Sequence, residues 1–337
     1  MMESRLNYFD NAKFLLIFLV VFGHVIQPFI SNNVHIMNLY KFIYTFHMPA
    51  FILISGYFAK GFKRKGYLIT ISKKLILPYL IFQVIYSFYY VLIEKNATMT
   101  MNPLEPNWSL WFLISLFFWN ITLYFFTKFR PIYVILSAFT LGIIVGYEDA
   151  INNFLSLSRT FVFLPLFLIG FYLKLEHFKA ITKPQIRIFA LIILTLTFNL
   201  YYHVNFNYEW LFGSKSYSHF ETTSLSSALS RVIFYSASLV TTICFLSLVP
   251  RKRAFFTKWG TRTLYVYLLH GFIIQFMRYS EIVKWMEHYQ SVILFTILSF
   301  LITLILSTKV VIEITKPLID LNFSHFPYVL RRSSLER

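Results

Sequence analysis

The sequence predicts an all-α, polytopic transmembrane bundle of about ten spans with both termini cytoplasmic, and three observations carry that prediction. Of the 337 residues, 57% are hydrophobic and only 13% charged, about half the charge fraction of an ordinary soluble chain. The apolar runs are long and continuous, which suits membrane helices and not the period-2 strands of a membrane barrel. Forty Phe and 23 Tyr suit a surface that meets lipid tails and headgroups.

The spans fall roughly at 14–30, 36–58, 75–94, 109–126, 132–146, 160–175, 188–203, 226–249, 263–280 and 291–313. Together they make residues 1–337 one integral-membrane domain, with connections too short to fold by themselves. The longest, "VNFNYEWLFGSKSYSHFETTS" at 204–224, lies outside. With the N-terminus inside, 23 of the 31 lysines and arginines fall in cytoplasmic segments and seven outside, while Lys309 lies within the last span. That asymmetry is the positive-inside pattern. The net charge of +17 therefore reports topology in a lipid membrane, and no nucleic-acid partner is expected. The first apolar segment has no small-residue cleavage site and is read as a retained span. The single Cys244 excludes an internal disulfide and a cysteine metal cluster, and no metal is expected. The basic tail "HFPYVLRRSSLER" reads as a cytoplasmic anchor.

The chemistry is concentrated in the first two spans. "NYFDNAKFLLIFLVVFGHVIQPF", residues 7–29, carries His24 inside an apolar run. Lys13 lies eleven positions earlier, so both share one helical stripe about 16 Å apart along the axis, with Asp10 and Gln27 near that stripe. Helix-to-helix glue is the plainer role for His24, but an ionisable group within a membrane is by default functional. The second span holds "YTFHMPAFILISGYF" at 44–58. There Pro49 is expected to kink the helix beside His47, and Ser55-Gly56 permits close helix approach. His24 and His47 on consecutive spans can share a cavity. "GIIVG" at 142–146 has the spacing of a close-packing motif.

"FDNAKFLLIFLVVFGH" followed by "FHMPAFILISGYFAKG" resembles the opening of membrane-bound acyltransferase family 3, and most resembles its branch related to fucose 4-O-acetylase. "KKLILPYL" (73–80), "WSLWFLISLFFW" (108–119), "FLPLFLIGFYL" (163–173) and "GTRTLYVYLLHGF" (260–272) extend the resemblance over nine spans in order. It implies transfer of an acyl group, usually acetyl, from cytoplasmic acyl-CoA to a hydroxyl of a sugar or cell-envelope glycan, in a bacterial cytoplasmic membrane. Acetyl-CoA or another acyl-CoA is then a donor substrate, and no permanently bound cofactor is expected. The family's basic residue with a histidine eleven positions later falls on Lys13 and His24.

The residues agree with such chemistry. Transfer from a thioester to an alcohol needs a base, and a neutral histidine serves near pH 7. His24 is therefore the expected catalytic base, supported by Lys13, Asp10 and His47. A carboxylate to orient its ring has only Asp10, Glu148 and Asp149 as candidates, none of them mid-span. Lys73 and Lys74 are the expected donor-phosphate contacts, whereas Lys60, Lys63 and Lys65 read as topology charges. Arg159 and Arg231 lie on the outer side, where the charge bias asks for no cation, and are expected to hold an acidic acceptor group. His270, mid-span with Gln275 beyond it, reads first as helix glue. The competing classes are a glycan or lipid exporter and a non-catalytic envelope scaffold. Coupled carriers usually place Asp or Glu at mid-membrane, and these spans hold none there.

Overall fold

The computed structural model describes residues 2–94, 102–151, 153–221 and 223–320. Lys95 and the tail "HFPYVLRRSSLER" lie outside the described residues. Thirteen helices are named here: α1 Met2–Ile26, α2 Val34–Phe58, α3 Tyr67–Ile93, α4 Trp111–Phe126, α5 Pro131–Ile144, α6 Leu157–Tyr172 and α7 Leu175–Ile181. They continue as α8 Pro184–His203, α9 Leu225–Leu248, α10 Thr263–Tyr279, α11 Ile282–Tyr289, α12 Val292–Leu306 and α13 Lys309–Ile319. Among the described residues there is no strand.

Each of the ten expected segments is helical. Seven are single helices long and apolar enough to cross a bilayer. The fifth, Pro131–Tyr147, is shorter, and the ninth, Thr263–Tyr279, has 17 residues. The tenth corrects the sequence reading. It does not run to residue 313, because α12 and α13 meet at a bend of 64°. Ser307 closes α12, Arg262 Nη1 takes the Ser307 carbonyl at 2.5 Å, and Thr308 caps the next helix through Val311 N. Lys309 thus opens a separate helix instead of lying within a span. Tyr265 Oη donates to Asp320 Oδ2 at 2.6 Å and ties the end of α13 to α10.

The bundle has an inner and an outer set, set by apolar distribution. Phe9, Leu16 and Ile17 of α1, Ile52 and Ala50 of α2, and Phe167 and Leu168 of α6 are almost fully buried. In contrast, α8 turns Ile188, Phe189 and Leu196 outward, each more than 60% exposed. A row of exposed apolar side chains of that size suits a surface that faces lipid. The inner helices approach closely through glycine. A Cβ on Gly56 would fall 2.0 Å from the Phe167 carbonyl oxygen, and one on Gly170 would fall 1.9 Å from that of Leu53. The close approach expected at Ser55-Gly56 is present, and its partner is α6. In "GIIVG", by contrast, Gly142 admits the Tyr235 hydroxyl and Gly146 the Tyr217 ring. Pro49 sits inside α2 without interrupting it.

Asn33 caps α2, accepting from the His35 and Ile36 amides, which fixes the tight turn between α1 and α2. The loop after α8 folds back over the same end of the bundle as two short 3-10 turns, Tyr208–Phe212 and Ser218–Phe220. The two ends of the bundle are named below by the α1 residues they carry, the Lys13 end and the His24 end.

Candidate active site

His24 stands in the last turn of α1, where carbonyls lack helical partners. Arg278, the penultimate residue of α10, satisfies that turn. Its Nη2 donates to the His24 carbonyl at 2.9 Å and to Gln27 Oε1 at 2.8 Å. The Nδ1 of His24 is buried with no hydrogen-bond partner. Tyr44 of α2 reaches this turn because Gly23 has no side chain, since a Cβ there would lie 2.9 Å from the Tyr44 ring.

An aromatic residue fixes the other side of His24. The Trp108 indole lies 4.4 Å from the His24 ring and 5.0 Å from the His270 ring, centroid to centroid. Trp108 has φ of 41°, an uncommon backbone for a bulky residue. Two contacts hold it so. Gly271 leaves the space, for a Cβ there would fall 2.4 Å from the indole and 2.3 Å from Tyr86 Oη. Tyr267 Oη donates to the Ser109 carbonyl, pinning the turn. His270 donates from Nδ1 to the Tyr267 carbonyl at 2.7 Å and shares that proton with the Val266 carbonyl at 3.0 Å. Its Nε2 then carries no proton, and it is buried without a partner.

His24 opens on a cavity of about 150 Å³ that also receives His47, Arg159, Tyr40, Tyr44 and Gln27. His47 donates from Nδ1 to the Ile43 carbonyl at 2.9 Å, which leaves its Nε2 as an acceptor. The Arg159 guanidinium lies 5.1 Å from the Trp111 ring and makes no ion pair among the described residues. Val20, Met48 and Tyr267 close this cavity toward the Lys13 end and also line a second one of about 150 Å³. The second is apolar, walled by Phe51, Phe112, Leu113 and Leu116. It reaches Leu75, in the π-helical turn Ser72–Ile76 that exposes Lys73 and Lys74. Such turns recur at functional positions.

The structure thus brings His24, His47 and Arg159 together and leaves three expected residues elsewhere. Lys13 Nζ pairs with Asp10 Oδ1 at 2.7 Å toward the middle of α1, and neither lines the His24 cavity. The stripe has the right angle, but three turns of rise separate its ends. Arg231 is 2% exposed, donates from Nη1 to the Trp210 carbonyl at 3.0 Å and lies 5.1 Å from the Trp210 ring. It holds the loop after α8 in place. The candidate carboxylates are engaged as well. Asp149 accepts from the Ser218 hydroxyl, and Glu148 accepts from the Ala150 amide. Serine hydroxyls from Ser216 and Ser218 hold the Asp149 pKa below its usual value.

Sequence reasoning assigned no site role to Trp108 or Arg278, and His270 was read first as glue. Arg278 carried a usable signal, since it is a cation on the side where charge bias asks for none. Trp108 carried none in its own segment, because Gly271 on another helix makes its place.

A lipid-facing helical bundle with two histidines lining an inner polar cavity defines an integral-membrane protein with a buried polar site. The chain belongs to acyltransferase family 3: residues 6–311 match its acyltransferase domain. It is therefore a multi-pass membrane protein of that family. Over 56 residues it is 48% identical to the nodulation protein NolL of Sinorhizobium fredii (strain NBRC 101917 / NGR234), 16% of this chain and 15% of that protein. The nodulation protein NolL of Mesorhizobium japonicum (strain LMG 29417 / CECT 9101 / MAFF 303099) is 46% identical over 56 residues, with the same shares. The match spans about 15% of the length of these relatives. No solved structure matches the chain.

Proposed function

We propose that this protein is an O-acetyltransferase of a bacterial cytoplasmic membrane. It takes the acyl group from cytoplasmic acyl-CoA at the Lys13 end and passes it to a hydroxyl of a sugar or cell-envelope glycan at the His24 end. The observation that supports this most is the pair of cavities meeting at Val20, Met48 and Tyr267. A donor needs an apolar channel for its arm and cations for its phosphates, which the second cavity and the Lys73-Lys74 turn offer. An acceptor needs polar walls, a base and an anchoring cation, which the first cavity offers in His24, His47 and Arg159.

His24 takes the proton of the acceptor hydroxyl as its oxygen attacks the thioester carbonyl. The new C–O bond forms, the C–S bond breaks, and the imidazolium returns the proton to the departing thiolate. Trp108 and Arg278 fix the position of His24, and His47 offers a second acceptor nitrogen to the attacking hydroxyl.

His24→Gln tests this reading. The amide keeps hydrogen bonding but is no base near neutral pH. Transfer in membranes, read as acetyl mass on envelope glycans, should fall about 10²–10⁴-fold with normal protein level. Transfer above about a tenth of normal, less than a lost base removes, overturns it.

A further inference from the structure

Beside the His24 cavity lies a larger open groove, of about 790 Å³, between the start of α2, the end of α8 and the loop that follows. It has the size of a ligand site, and its walls carry polar groups with no partner. Lys41 is only 7% exposed. Its ammonium stands 4.5 Å from the Phe206 ring centroid and has no hydrogen-bond or ion-pair partner among the described residues. The ammonium itself is not closed off from the groove, so an anionic oxygen there can reach it. Glu209 on the same wall does not serve, because its Oε2 is held by His219 Nε2 at 2.6 Å. Asn38, 2% exposed, donates to the Phe198 carbonyl at 3.0 Å, and its Oδ1 is buried without a donor.

The Asn38 oxygen is closed off from the groove, so Lys41 alone defines the ligand, which must bring an anionic oxygen to its ammonium. Around it the walls alternate ring and amide: Phe206 and Tyr208 with Asn205 and Asn207. Rings pack on the C–H face of a pyranose and amides bond its hydroxyl edge. The groove also lies back to back with the catalytic space. Tyr208 stands 5.5 Å from Tyr40 and 5.6 Å from Phe212, ring to ring, and both line the His24 cavity. One layer of aromatic rings separates the two.

We infer that this groove is a subsite for an acidic sugar of the acceptor chain, its carboxylate on Lys41, next to the unit that is acylated at His24. The inference rests on the glycan reading given above, and the experiment separates the two.

Purified full-length protein in detergent is titrated with a hexamer of galacturonic acid and with the neutral galactose hexamer of the same linkage. The wild type should bind the acidic hexamer at least about tenfold more tightly, the scale of one charge-assisted hydrogen bond. Lys41→Met keeps the stem over Phe206, removes the charge and should abolish the preference, while Lys41→Arg should retain it. His24→Gln should leave it untouched. No preference in the wild type, or a preference that survives Lys41→Met, overturns the subsite. So does an anionic phospholipid that copurifies with the wild type and is lost from Lys41→Met, since a headgroup is then the occupant. If His24→Gln still transfers while the Lys41-dependent preference holds, the mechanism at His24 fails and the subsite stands.

Discussion

The imidazoles of His24 and His270 lie 5.5 Å apart, centroid to centroid, and the Trp108 indole packs against both. Each ring keeps a buried nitrogen without a partner. In a membrane bundle such nitrogens are retained at a free-energy cost, which makes the positioning of Trp108 a feature to test.

Gly271→Ala should disturb this arrangement first. Its methyl would press on the indole and on Tyr86 Oη, an overpacking of about 1–3 kcal/mol. A lower melting temperature should be accompanied by a shift in tryptophan fluorescence and loss of most transfer. Full transfer with a shifted indole would mean that the place of Trp108 does not matter to the chemistry.

Two arginines that look alike in sequence should behave oppositely. Arg231→Gln removes the bond to the Trp210 carbonyl and leaves a buried wall short of a donor, destabilising the fold by about 1–3 kcal/mol. The amount of folded protein should drop while activity per folded molecule holds. Arg159→Gln should leave the melting temperature unchanged and raise the acceptor KM about tenfold, the worth of one charged contact.

The donor route separates Lys13 from Lys73 and Lys74. Alanine at both Lys73 and Lys74 should raise the KM for acyl-CoA by about fivefold, or roughly 1 kcal/mol. Lys13→Ala breaks only a partly exposed pair with Asp10, worth about 0.3–0.5 kcal/mol, and should leave the donor KM unchanged. The reverse order, in assays on membranes, would move the donor entrance to the Lys13 turn of α1.

Val20 is 4% exposed at the junction of the two cavities. Val20→Phe should narrow that junction and lower kcat/KM for acyl-CoA, with oligosaccharide binding intact. Val20→Ala should widen it and raise the rate with butyryl-CoA relative to acetyl-CoA. Equal effects on all donors would show that acyl groups do not pass there.

The fold was legible because it rests on local composition. Long apolar runs announce spans whatever their neighbours are, and seven of the ten expected segments are single helices long and apolar enough to cross a bilayer. The break at Ser307 was hidden because the carbonyl it frees is taken by Arg262, 45 positions away. The site was half legible for the same reason. His24, His47 and Arg159 are polar groups where lipid or charge bias forbids them, so each stands out alone. Periodicity linked Lys13 to His24 correctly in angle but carried no information on the partner, and Asp10, one turn away, took the lysine. Trp108 and His270 meet only through the packing of α10 against the turn before α4, which spacing along the chain does not encode.

The interlock of Gly56 with the Phe167 carbonyl, and of Gly170 with that of Leu53, makes α2 and α6 a single plank. His47 and Tyr44 ride on one edge of it, and Arg159 on the other. A gap between these helices would separate backbones that touch without side chains between them, so the two carry their site residues as one rigid piece. The Trp108–Ser109 turn and the end of α10 have no such backbone interlock and are tied by side chains, Tyr267 on the Ser109 carbonyl and Arg278 on the last turn of α1.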